Sequence, residues 1–472
     1  MAGFGTFFGL NVGVNGIETA QQALSVISNN IANASTPGYT KETANLAEQT
    51  PFPPVPDSPA LVVAGQVGQG SKVESVDRSV SPYYNKLVRD NLTSFHGEDD
   101  LLTNLNQIQG IMGEPNSTSI HSALDTFLSA WQTLSTSPDT IAARQEVIQQ
   151  GKNLANMFNM VQNQLVTLVG NLDSNISGTP ASEVEKANAY ANQINQLNQQ
   201  ISTITQSGQN PNQLLDQRDT ALNNLAQLGN LTYTENADNS VDVFLGSVHI
   251  VSAAGGSFST TAFTSTDVAS VTSGSIWANE QGIQTAQNVI QQLGELQQTL
   301  GENVNNQLET GYQLGSSTPG VPLFNVSSSN VTTGGTTTPV TSLSVSSTIT
   351  PDQIAAASEP NVVGDGSNAV TIAGFQNSTT LTDSSGQALN ATPDDYYTSI
   401  VTGIGAQTAA VQSSQQMASS LLQQSQSLQQ SVSGVNINEE VSQMIQFQNV
   451  YSASSKFISI QDQLLQTLIQ EV

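Results

Sequence analysis

Apolar residues recur every seven positions at both ends of the chain. Near the N-terminus the series is Leu10, Ile17, Leu24 and Ile31, with Val14, Ala20 and Ile27 between them. Near the C-terminus it is Ile437, Met444, Tyr451, Ile458, Leu465 and Val472, widened by Phe447, Val450, Phe457, Leu464 and Leu468. Such a repeat keeps one seam of a helix turned toward a partner helix, so the two ends predict coiled-coil-like helices that pair with each other. Asn436 with Glu439 three residues on supplies a capped start for the second. Ile404, Val411, Ala418, Leu421, Leu428 and Val432 predict another long helix from about 395 to 432. Helical spacing also covers 84–112, 141–172, 183–204, 212–228 and about 276–312.

Two segments read differently. In 231–275, Val241, Val243, Leu245, Val248 and Ile250 alternate in strand fashion about a turn at 237–240. Residues 316–390 are rich in Ser, Thr, Gly and Val, with strand-like pieces near 342–349 and 370–372; low-complexity loop competes for 325–340. The expected fold is therefore mainly α with a β-rich inserted domain, elongated and multi-domain. Its parts are a terminal helical domain (1–40 and 434–472), a helical trunk (41–230, 276–315 and 391–433) and one β-rich outer domain made of 231–275 and 316–390.

Charge narrows the function. The chain carries 10 Lys and Arg against 37 Asp and Glu, a net charge of −27. Nucleic acid binding needs basic side chains to displace counterions, and an anionic membrane surface repels such a chain; neither is an expected partner. No Lys or Arg falls between Asp219 and Ser455, a stretch that reads as a solvated acidic surface. Hydrophobic residues make up 37% and charged residues 10%, a polar but weakly charged composition that suits an assembly protein better than a compact enzyme. There is no cysteine, hence no disulfide frame or thiolate chemistry. No run approaches the length of a membrane span. The first basic residue is Lys41, which does not fit a secretory signal; the expectation is a protein that stays inside or leaves by a route that reads no such signal.

Candidate chemistry is sparse. His96-Gly97-Glu98-Asp99-Asp100 is the one local group with metal-ligand chemistry and reads as a solvated helix face; His121 and His249 stand alone in sequence. Phosphate-loop, nucleophile-elbow and zinc-protease motifs are missing. No catalytic, cofactor-binding or metal-binding residue is predicted, and no cofactor.

The informative motif is a helix exit, Asn29-Asn30-Ile31-Ala32-Asn33-Ala34-Ser35-Thr36-Pro37-Gly38-Tyr39-Thr40. Asn and Ser compete for backbone hydrogen bonds, Pro37 forces Thr36 out of the helical region, and Pro-Gly suits the centre of a type II turn. Asn30, Ile31, Ala32 and Asn33 followed by Thr36, Pro37, Gly38 and Tyr39 resemble the N-terminal signature of the bacterial flagellar axial family of rod, hook and hook-associated proteins. Phe7-Phe8-Gly9-Leu10-Asn11 resembles the opening of its hook-associated members. Similar blocks recur at 113–115, 124–131, 143–151 and 212–219, and in the tail from Ser433 through Glu439, Glu440 and Tyr451 to Leu468.

The resemblance implies coaxial terminal helices lining a tube, a middle that projects outward, and export as an unfolded chain through the flagellar type III channel. It implies an extracellular structural adaptor between hook and filament. The implied partners are further copies of the chain in a ring, the hook protein, the second junction protein, and an export chaperone with the export apparatus. A hook or rod subunit is the first rival, flagellin a weaker one, and a cell-wall glycan hydrolase the rival from another class. Because an isolated amphipathic helix is marginal in water, the C-terminal helix is expected to be disordered in the lone subunit, with Ile458 in solvent.

Overall fold

The computed structural model describes residues 8–51, 67–113, 119–382 and 386–470. Phe7, Glu114, Pro115, Val472 and the side chain of Leu468 lie outside what is described. In chain order the elements are α1 (Phe8–Asn33), β1 (Glu42–Glu48), β2 (Ser71–Arg78), α2 (Pro82–Met112), α3 (Ile120–Thr136), α4 (Ile141–Ile176), α5 (Glu183–Gln206), α6 (Asn212–Leu228), β3 (Leu231–Glu235), β4 (Val241–Leu245), β5 (Val248–Ser252), β6 (Ser259–Thr260), α7 (Ser275–Thr310), β7 (Phe324–Thr333), β8 (Thr336–Val345), α8 (Ser367–Ala373), α9 (Pro393–Ser433) and α10 (Ile437–Gln470).

The trunk is a bundle. α7 packs on α2 and α4, α3 packs on α4, α5 on α6, and α9 runs the length of α2. Leu105, Ile108, Phe127, Trp131, Phe158, Leu165, Ile290 and Leu300 are buried in its centre. The long helices have definite ends. Ser81 accepts from the Tyr84 amide ahead of Pro82 at the start of α2, and Gly113 closes that helix in the left-handed region at φ 67°. Thr392 caps α9 in the same way, with Pro393 in its first turn.

The two β-rich segments do not build one domain. β3 to β6 form a four-stranded antiparallel meander, in which Val241, Val243 and Leu245 point into the core and Asn198 of α5 bonds both the amide and the carbonyl of Val241. β7 and β8 form a separate antiparallel hairpin lying across α4 and α7. Each sheet is too small to bury a face on itself, so each uses the nearest helices as its second layer. Residues 370–372, read as strand-like, belong to α8, where Ala369 and Ile372 are buried one turn apart. The competing loop reading for 325–340 also fails, since that stretch is the body of the hairpin.

α1 and α10 lie side by side and antiparallel, with Gly9 against Gln461, Gly13 against Ile458 and Gly16 against Ser454. A Cβ on Gly13 would stand 2.6 Å from Ile458 Cγ1; the missing side chain is what lets the helices approach. The inward face of α1 is thus Gly9, Gly13, Gly16, Ala20, Ala23, Ile27 and Asn30. Leu10, Ile17, Leu24 and Ile31 sit one residue further round, about 100° away, and are half-buried. On α10, Met444, Ile458 and Leu465 are half-buried while Ile437 and Tyr451 are exposed. The expectation that Ile458 meets only solvent in the lone subunit is corrected, because Gly13 of the same chain already receives it.

One buried acid in the trunk has a measurable consequence. Glu183, in the first turn of α5, is 8% exposed; its Oε1 accepts from Asn279 Nδ2 at 3.0 Å and its Oε2 has no partner. Burial pushes this carboxyl up from 4.5 to about 7, against the pull of the Ser275 hydroxyl and the Asn279 amide. The folded chain therefore binds the proton more tightly than the unfolded chain does. Stability falls as pH rises from about 4.5 to about 7, by up to ~3 kcal/mol. Glu183→Gln should raise the melting temperature at pH 8 and leave it nearly unchanged at pH 4.5. Equal shifts at both pH values, read by circular dichroism, would show that the carboxyl is solvated.

Candidate functional site

The helix exit at 29–40 folds into a knot of hydrogen bonds centred on Asn30, which is 1% exposed. Its Nδ2 donates to the Glu42 carbonyl at 2.8 Å and to Glu440 Oε2 at 2.9 Å. Its Oδ1 accepts from the Tyr39 hydroxyl at 2.7 Å and from the Glu42 amide at 2.9 Å. Two donors and two lone pairs are the whole capacity of an amide, and all four are used. Aspartate has no donor for Glu440; alanine or leucine would leave four polar groups without their partner. One side chain thereby ties α1 to the exit loop, to β1 and to α10.

The exit turn follows from the sequence as expected. The Tyr39 amide bonds the Thr36 carbonyl at 3.2 Å, and Gly38 takes φ 80° at the position where a type II turn favours glycine. A Cβ there would also lie 2.8 Å from Thr220 Oγ1 of α6, so the turn sits directly on the trunk. Burial, and then the carboxylates of Glu42, Asp216 and Glu440, hold the Tyr39 phenol above its ordinary pKa and keep it a donor. Asn33 extends the network, accepting from Thr36 Oγ1 at 3.2 Å and donating to Asn29 Oδ1 at 2.9 Å.

Where the chain re-enters the terminal pair, the Lys41 amide bonds the Ser433 carbonyl at 2.9 Å. Lys41 Nζ reaches both Glu439 and the fully buried Glu440 at 3.3 Å. Asn436 Oδ1 caps α10 by accepting from the Asn438 amide at 3.1 Å; Glu439 turns to Lys41 rather than back to Asn436. The outgoing and returning strands of chain are thus tied to each other. Together with α6 and the end of α9 they line a cleft of about 730 Å³.

Beneath the turn lies a charged cluster that joins the exit motif to the 212–219 block. The Thr40 amide donates to Asp216 Oδ2 at 3.2 Å. Arg78 bonds Asp216 and Asp219 at 2.8 Å each, and Arg89 bonds Asp219 at 2.7 Å. Arg89 also lies over the Tyr233 ring at 4.8 Å and donates to Asn223 at 3.0 Å. Arg218 pairs with Glu235 at 3.2 Å and bonds the Asn239 carbonyl. Three of the four arginines in the chain meet here. Burial alone would raise the Asp219 carboxyl, but Arg89, Arg78 and Arg218 outweigh it and hold it below the usual range. At Asp216 burial wins over Arg78, and that carboxyl is raised.

The histidine readings change in space. His121 sits between Asp125 of its own helix, at 3.6 Å, and Asp394 of α9. His249 stacks on Phe244 with centroids 4.2 Å apart and meets Asp242 at 3.2 Å. Among the described residues no group of three or more His, Asp or Glu could hold a metal ion, and no helix is long and apolar enough to cross a membrane.

Asp219→Ala would leave Arg78 and Arg89 buried beside an empty site. It should cost about 3 kcal/mol in urea unfolding, as removal of one member of a buried ion cluster does. Asp219→Asn, which keeps two polar atoms there, should cost less. A loss under about 0.5 kcal/mol for the alanine variant would mean that the cluster does not hold the junction together.

Comparisons with known proteins find similarity along most of the chain. The family model for the flagellar hook-associated protein FlgK helical domain matches residues 105–324. The model for the flagella basal body rod protein matches 10–40, and that for the flagellar basal body rod FlgEFG protein C-terminal region matches 425–471. Flagellar hook-associated protein 1 of Bacillus subtilis is 30% identical over 249 residues, 52% of this chain and 48% of its own length. The protein of that name from Salmonella typhimurium is 30% identical over 221 residues, 46% of this chain and 38% of its own. The chain thus spans about half the length of the first relative and less of the second. The solved structure of the flagellar hook junction protein FlgK from Burkholderia pseudomallei superposes with a TM-score of 0.59 at 17% identity, over 74% of this chain and all of that one, and so shares the fold. The chain is thus similar to FlgK, the flagellar hook-associated protein, over its helical middle and to flagellar rod proteins at both ends.

Proposed function

We propose that the chain is a structural adaptor that joins hook to filament outside the cell, assembling into a ring through its terminal helices. The observation that carries the reading is the terminal pair itself. The Asn30 knot fixes α1 and α10 together, yet α10 keeps a row of apolar side chains open: Ile437, Val441, Ile445, Phe457, Ile460 and Leu464 are 39–58% exposed. Among the described residues nothing covers them, and neighbouring copies would. Leu10, Ile17, Leu24 and Ile31, half-open on the flank of α1, would join the same contact, with Met444, Tyr451 and Leu465 on the α10 side; Ile458 faces Gly13 of its own chain, and Val472 lies outside the described residues. The hook protein on one face and the second junction protein on the other are the partners of this reading. An export chaperone and the flagellar export apparatus handle the chain before assembly. It needs no cofactor, and we assign it no catalytic step.

A hook or rod subunit is the second reading, favoured by the rod-protein models that match both termini. Deleting the gene separates the two. Completed hooks without filaments, with flagellin lost to the medium, are expected from electron microscopy of the cell surface. Missing hooks would favour the rod or hook reading, and normal filaments would contradict both.

A further inference from the structure

The helix α9 carries two seams, and the described residues fill only one of them. The first, Ile404, Thr408, Val411, Gln415, Ala418, Leu422, Ser425 and Gln429, alternates four and three residues apart and is buried or half-buried against α2. Gln415 bonds Asp99 at 3.0 Å and Gln429 bonds Asn85 at 2.7 Å, which fixes the two helices antiparallel. The second seam runs one residue ahead of it: Ala410, Ser414, Met417, Leu421, Gln424 and Leu428, followed by Val432. It keeps the same four-three alternation, about 100° round the helix. All of it is exposed, with Met417 at 65% and Leu421 at 47%.

The charge pattern says what can cover it. Residues 396–438 contain no Asp, Glu, Lys, Arg or His. An ordinary solvated helix face is rich in charge, whereas interface centres are depleted of it. In a chain of net charge −27, two copies repel wherever acidic surfaces face each other, and they can approach only where acid is missing. Of the other acid-free trunk segments, 147–172 and 186–215 bury most of their apolar stripe in the bundle, with Leu165, Ile194 and Ile201 at 0% exposure, and 310–351 contains the hairpin β7–β8, whose exposed side chains are mainly Ser and Thr. In α9 the absence of charge coincides with an apolar stripe that is exposed. Past Val432, the next apolar residues with high exposure are Ile437, Val441 and Ile445 of α10.

We infer that this outward face of α9 is a helix-docking surface for a second copy of the chain, extending the subunit contact from the terminal helices into the trunk. The inference rests on the reading that the chain assembles with its own copies, but it concerns a different surface. The two can therefore fail separately.

The test is site-specific photo-crosslinking in cells that assemble flagella. One probe replaces Met417 in α9, and a second replaces Ile460 in α10 as a reporter of terminal-helix assembly. An adduct of two 49.5 kDa chains from both probes is expected. Adding Leu421→Glu to the Met417 probe should lower that adduct about tenfold or more, as a charge forced into a dry seam does. The monomer melting temperature should be unchanged, because Leu421 is half-exposed on its own trunk; if it falls, Gln424→Glu is the replacement variant. A homo-adduct from Ile460 with none from Met417 overturns the inference and leaves assembly standing. An adduct of Met417 with a different protein overturns it in favour of another occupant. No adduct from either probe removes the assembly reading and this inference together.

Discussion

The structure turns on one buried amide. Asn30 is the place where the outgoing helix, the exit loop, the first strand and the returning helix share hydrogen bonds, and no other uncharged side chain could serve all four at that reach. Glu440, fully buried, is tolerable there because Asn30 and Lys41 answer its charge; an unanswered carboxylate at that depth would be strongly destabilising. The register of the terminal pair follows. With Asn30 set against Glu440, the antiparallel helices bring Gly16 to Ser454 and Gly13 to Ile458, so the small side of α1 meets the larger side of α10.

The same knot explains how the terminal helices, with β1 and β2 packed on α1, keep a defined attachment to the trunk. Two stretches of chain, 34–41 and 433–436, meet at that attachment. They are bonded to each other through Lys41 and Ser433 and pressed onto α6 by Gly38. Underneath, Arg78, Arg89 and Arg218 bind the carboxylates of α6 and β3. In a chain with so few basic residues, placing three arginines at this point concentrates ionic cross-linking where the terminal unit joins the trunk.

Much of this was legible in the residues, and the failures have physical causes. The long helices were visible because their apolar stripes persist over many turns. The Pro37-Gly38 turn was visible because its backbone chemistry is local. α3 lies outside the helices expected from the sequence, although Ile120, Leu124, Phe127, Trp131 and Leu134 carry a clear helical period. β1 and β2 pair across a long excursion, so no local turn announces them. The register of the N-terminal seam is not given by its Leu and Ile repeat, because the face that meets α10 is built largely from Gly and Ala, which allow close approach. In α9, Leu421, Leu428 and Val432 were merged with Ile404, Val411 and Ala418, which hid two seams inside one stripe. The arginine cluster had no local signature, because its members come from three separate elements.

The central claim is that Asn30 and Glu440 hold the terminal helices as one unit, and a double-mutant cycle on this pair tests it most directly. Asn30→Ala, Glu440→Ala and the double variant are compared by hydrogen exchange of the α1 and α10 amides, with α4 as the internal reference. A coupling of about 1.5–3 kcal/mol is predicted, the range for a buried hydrogen bond to a charged group, with both helices losing protection together and α4 unaffected. Additive effects within about 0.5 kcal/mol, or loss of protection in α10 alone, would contradict the account.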